Sequence, residues 1–202
     1  MDTSKIQLSA EEMQLVSNRA WILTKHRIIE KVYRFFGDCA AEMQVYLAER
    51  KAVLPEEVFR LPPKISKGEQ YEALPYVVLD YPRYFTTEEV FAIRSFFWWG
   101  HYFSITLHLK GKFQQQYRQA ISAAIAGQQL KGIYLSEAGS EFSFNLEGKN
   151  YVQPTEVKAG KYSASPEAPF LKISCKISFE QWNNAEQELL QVFRQFITLI
   201  TA

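Results

Sequence analysis

An α+β fold is the first thing this sequence predicts: a mainly antiparallel sheet of four to six strands, with N-terminal and C-terminal amphipathic helices packed on its apolar face. At 102–110 and again at 171–179, apolar and polar residues alternate with period two, the pattern of strands with one buried face. Both chain ends carry apolar stripes at helical spacing. Strands with a polar face argue against a doubly wound parallel sheet, whose strands read apolar on both sides. At 202 residues, the chain reads as a single domain, 1–202, with a substantial core.

The elements follow in order. Ser9 and Glu12 form a capping box, after which Met13, Val16, Ala20 and Leu23, then Ile22, Ile29, Val32 and Phe36, draw a broad helical stripe. His26 falls on that stripe and reads as a hydrogen-bonded core imidazole. Gly37 fits a helix end, with Asp38 capping a second helix to about Arg50; one continuous bent helix is the alternative. Residues 53–74 read as mostly irregular, with a helical turn at Pro55-Glu56-Glu57. A strand runs from Pro75 to Tyr81 and is ended by Pro82. Thr86 and Glu89 repeat the capping box and predict a short helix to about Ser95.

Residues 95–109 contain no Asp, Glu, Lys or Arg. From Tyr102, Phe103, Ile105, Leu107 and Leu109 face the core, while Tyr102, Ser104, Thr106, His108 and Lys110 face the other way. Gly111 turns the chain into a helix marked by Phe113, Tyr117, Ile121 and Ile125, closed by Gly127. Strands are expected at about 131–135 and 141–147, then a long loop at 148–168. The last strand, from Leu171 to Phe179, sets Lys172, Ser174, Lys176 and Ser178 outward. Ser178 and Gln181 cap a terminal helix striped by Trp182, Leu189, Phe193, Phe196 and Ile200.

Composition removes whole classes of function. Twenty-three basic residues against 22 acidic ones give a net charge of +1, with no block of one sign. That argues against a nucleic-acid partner. No apolar run is long enough to span a bilayer, and no signal peptide is evident, so no membrane partner and a cytoplasmic location are expected. Cys39 and Cys175 read as buried thiols. His101 and His108, seven apart, point to opposite faces of a regular strand, and neither Cys-x-x-Cys nor His-Glu-x-x-His occurs; no metal and no cofactor are expected.

Two strings stand out. In LPYVVLDYPR (74–83), Asp80 needs a partner, which Arg83 or Arg94 could supply as a guanidinium fork. In FFWWG (96–100), Phe96 and Trp98 must take one face and Phe97 and Trp99 the other, so two aromatics need a cover, a partner or a ligand. The polar sheet face is either wet or, if loops 53–74 and 148–168 fold over it, a pocket for a small polar or anionic ligand.

These strings, with SITLHL at 104–109, resemble a set of uncharacterised bacterial proteins over about residues 68–111. The resemblance implies a bacterial, cytoplasmic origin and carries no activity. Two readings follow. The first is a binding or interaction module that self-associates through Trp98 and Trp99. The second is an enzyme or binder for a polar or anionic ligand, with Asp80, Arg83, Arg94, Trp98, Tyr102 and His108 as ligand-binding candidates.

Overall fold

The two segments of clean alternation lie side by side. Tyr102–Lys110 (β4) pairs antiparallel with Phe170–Ser178 (β7) along its whole length. The computed structural model describes residues 7–127, 132–136, 141–154 and 168–201. Within them, β1 (Lys64–Tyr71), β2 (Leu74–Phe85), β3 (Val90–Trp98), β5 (Ile133–Ser136) and β6 (Tyr151–Val152) complete a seven-stranded antiparallel sheet in the order β1-β2-β3-β4-β7-β5-β6. The helices are α1 (Ala10–Ser17), α2 (Arg19–Ala48), α3 (Lys112–Ala126) and α4 (Ala185–Thr201). The fold is α+β. No helix among the described residues is long and apolar enough to cross a membrane.

One sheet face forms the main core. Ile105, Leu107, Leu109, Leu171 and Ile173 meet Val32, Phe36 and Met43 of α2 and Phe193 and Phe196 of α4. Both thiols are buried, and burial pushes Cys39 and Cys175 up to about 12, far from thiolate chemistry. Gly111 takes φ +63°, and a Cβ there would come within 2.5 Å of the Glu88 carbonyl oxygen. Only glycine makes that entry into α3.

Several expectations are corrected. Gly37 does not end a helix: α2 runs through it, because Val32, Phe36, Cys39, Met43 and Leu47 bury one continuous stripe. That burial outweighs the ~1 kcal/mol an interior glycine costs. His26 is exposed rather than in the core, since the buried stripe begins only at Ile29. Residues 64–71 are not irregular but form the edge strand β1. Pro82 does not stop β2; the strand passes it at a register shift between Asp80 and Arg83, where the ladder needs no N–H from proline.

The short helix expected from Thr86 is instead strand β3. Thr86 Oγ1 does accept the Glu89 N–H, at 2.8 Å, but the Thr86 N–H bonds the Glu89 carbonyl, also at 2.8 Å, closing a hairpin turn. The strand expected at about 131–135 is β5 (Ile133–Ser136), whereas residues 141–147 form no strand. Of the loop expected at 148–168, residues 155–167 lie outside the described residues.

Candidate functional site

The second face of the sheet is not wet. Tyr102, Ser104, Thr106, Lys172 and Ser174 are all buried on it. Their cover is the segment 141–151, a strap that lays Phe144, Leu146 and Tyr151 against Val78, Phe96, Trp98 and Tyr102. Phe144 stacks on Phe96 with centroids 5.7 Å apart, and Tyr71 meets Trp98 edge-on at 5.3 Å.

The strap has no ladder over most of its length, so side chains satisfy its backbone. Phe144 N–H donates to the Tyr71 hydroxyl and Leu146 N–H to the Tyr102 hydroxyl, each at 2.7 Å. Lys172 Nζ donates to the carbonyls of Glu141 at 2.9 Å and Ser143 at 2.6 Å. Tyr151 donates to the Ser143 carbonyl at 2.8 Å. The Phe142/Phe144/Leu146 alternation therefore marks a real apolar face, but not a strand.

Where the strap begins, it leaves a cleft of about 510 Å³ open between itself and the β2–β3 hairpin. Phe142 and Glu141 stand on the strap side, and Phe85, Thr86, Thr87 and Val90 on the hairpin side. The sheet supplies the charges. Lys64, Asp80 and Arg94 form one cross-strand row. Arg94 grips Asp80 with both ends of its fork, Nε–Oδ1 at 2.7 Å and Nη2–Oδ2 at 2.9 Å. The partner of Asp80 is thus Arg94, reached across strands rather than from a following helix. Arg83 donates its Nε to the Pro62 carbonyl at 2.6 Å, and Lys110 pairs with Glu141 at 3.0 Å.

His108 lies just under this cleft, 5% exposed, with the rings of Phe85, Phe142 and Phe170 set edgewise around it. Its Nε2 is 3.3 Å from Glu141 Oε1 but off hydrogen-bond geometry. Burial, reinforced by the charges of Lys172, Arg94 and Lys110, pushes the imidazole down to about 3. Burial, with Arg94 alongside, brings the Lys172 ammonium down to about 7, against the pull of Glu141. Four cations line the cleft, Lys64, Arg83, Arg94 and Lys110, against two carboxylates. Asp80 is taken by Arg94 and Glu141 by Lys110, and neither Lys64 nor Arg83 has a carboxylate partner among the described residues.

Of the six candidates from sequence, Asp80, Arg83 and Arg94 line the cleft together, and His108 touches two of its walls. Trp98 and Tyr102 do not reach it. They sit four residue pairs along the strands from Arg94, under the strap, with Trp98 only 1% exposed. Sequence reasoning missed Lys64, Phe85, Glu141 and Phe142 as site residues. The segment around Lys64 reads as irregular, and nothing local says that residue 141 returns to strands β4 and β7.

Comparison of the chain with protein-family models, with curated proteins and with solved structures finds no match. The chemistry of the cleft is the remaining guide.

Proposed function

We propose that this chain binds a small anionic ligand in the cleft between the strap and the β2–β3 hairpin. The observation that supports this reading most is the surplus of charge: Lys64 and Arg83 stand beside two complete ion pairs with no carboxylate of their own among the described residues. The Arg83 fork, fixed at Nε by Pro62, leaves its Nη donors for an oxyanion. The Asp80–Arg94 pair holds the floor rigid. His108, held neutral, leaves the anion to the lysine and arginine side chains at neutral pH.

Titration of inorganic phosphate into the full chain tests the reading. Arg83→Ala is expected to weaken binding about ten- to a hundredfold, the worth of a charge-assisted contact. Lys64→Ala, at an exposed position, is expected to weaken it less and to flatten its dependence on salt. Phosphate binding that ignores both substitutions, or no binding at 10-fold changes of salt down to low ionic strength, would remove the proposal.

A second reading, self-association, is favoured by a different region. Leu8, Met13, Leu15, Val16, Trp21, Ile22 and Leu23 are between 41% and 69% exposed, and α1 buries nothing. Seven large apolar side chains left in water over one short stretch make a surface of the kind a partner covers. Glu11 and Glu12 lie near the start of the apolar stretch and Arg19 and Arg27 near and beyond its end, so two copies packed antiparallel set acid against base. With Trp98 engaged inside its own chain, we assign the contact to 8–23 rather than to Trp98 and Trp99. Light scattering should find a dimer that Val16→Asp with Leu23→Asp converts to a folded monomer whose melting temperature no longer depends on protein concentration. A wild-type chain monomeric at 100-fold dilution steps up to high micromolar concentration would exclude it.

A further inference from the structure

The same cleft carries information about the rest of its ligand. At about 510 Å³ it falls within the ~300–1,000 Å³ of sites that enclose a drug-sized molecule, well beyond what a lone oxyanion fills. The chain has 15 phenylalanines, all at described positions. Only two of them stand exposed, Phe85 at 41% and Phe142 at 63%, and both line this cleft.

They come from different elements, Phe85 from the end of β2 and Phe142 from the strap. Each rests edgewise on His108 with centroids 6.4 Å apart. The two rings share that imidazole without being in ring contact with each other, so they stand apart as walls. Exposed aromatic faces of this kind are costly to leave in water, and they match a flat apolar partner. The buried side chain of Val90 adds to the apolar side. The cations lie on the sheet side of the same space.

Resting on the anion-binding reading above, we infer that the ligand is an aromatic anion: a planar ring held between Phe85 and Phe142, with its charged group on Arg83 and Lys64. Neither wall makes sense for a bare ion, and neither cation for a neutral ring.

The test is a calorimetric comparison of five probes on the full chain: inorganic phosphate, phenyl phosphate, cyclohexyl phosphate, benzoate and acetate. Phenyl phosphate is expected to bind at least about tenfold more tightly than inorganic phosphate, from ring burial, and a few-fold more tightly than the saturated cyclohexyl ester, from stacking geometry. Benzoate, compared with acetate, reports whether the gain belongs to the ring whatever the anionic group. On Phe85→Ala with Phe142→Ala, phenyl phosphate should bind no more tightly than inorganic phosphate does to the same variant. Phe142→Leu, at an exposed position, keeps bulk without the ring and should lose the preference for phenyl over cyclohexyl. Equal affinity for inorganic and phenyl phosphate overturns the inference while anion binding stands. No binding of any probe takes both down together.

Discussion

Lowering the pH from 7 to 4 should cost the protein about 3 kcal/mol of stability through one side chain, His108. In the unfolded chain an imidazole takes up its proton near pH 6.5. In the native protein, burial and the neighbouring charges of Lys172, Arg94 and Lys110 hold that step at about 3. Between those two values the unfolded state binds more protons than the native one, so stability falls as pH falls, and the loss is complete only below about pH 3. His108→Leu, an apolar replacement among Phe85, Phe142 and Phe170, removes the proton without removing the packing. Its melting temperature should fall less between pH 7 and 4 by roughly 6–12 °C.

Lys172 acts in the same direction at higher pH. It titrates at about 7 in the native protein and near 10.5 when unfolded. The unfolded chain therefore again holds more protons across that window, and stability should rise by about 2 kcal/mol from pH 7 to pH 9. Denaturant melts at pH 4, 7 and 9 on the wild type and His108→Leu separate the two groups. An acid limb identical in both proteins would contradict the assignment to His108.

The second large effect belongs to the strap. Phe144→Ala is expected to destabilise the protein by about 3–5 kcal/mol. The ring packs against Tyr71 and Phe96, and the charges of Lys172 and Arg94 lie 4.3 Å and 4.7 Å from its centroid. Without it the strap keeps only its side-chain hydrogen bonds, and the face beneath it wets. Amide exchange at Phe144 and Leu146 should accelerate by orders of magnitude, and tryptophan emission should shift to the red as Trp98 meets water. Tyr102→Phe removes the acceptor of the Leu146 N–H together with a donor to the Phe144 carbonyl, and should cost about 1–3 kcal/mol. Unaltered exchange at 144–146 in Phe144→Ala would mean that something other than this ring holds the strap.

The legible parts of the fold are those whose signal is local. β4 and β7 are apparent in sequence because each alternates without a break, and α3 and α4 because their apolar residues recur every three or four positions. β1 escaped because Lys64–Tyr71 carries glycine, two lysines and little apolar character, as an edge strand beside solvent does. β3 was mistaken because a threonine three residues before a glutamate closes a tight turn as readily as it caps a helix. The aromatic and apolar run from Val90 to Trp98 would have been the better guide.

The site was half legible. Asp80, Arg83 and Arg94 announce themselves, since a carboxylate in an apolar strand must have a cation. The alternation of Tyr102–Lys110 put His108 on the right face. That this face is closed, and that Glu141 and Phe142 come back to wall its end, depends on contacts between residues some 30 to 70 apart. No periodicity carries that.

A crystal structure of the chain soaked with phenyl phosphate tests the ligand assignment most directly. The expected density has phosphoryl oxygens within hydrogen-bond distance of Arg83 Nη and Lys64 Nζ, with the phenyl ring between Phe85 and Phe142. Density for the ester anywhere else, or an unchanged cleft at saturating ligand, would contradict it.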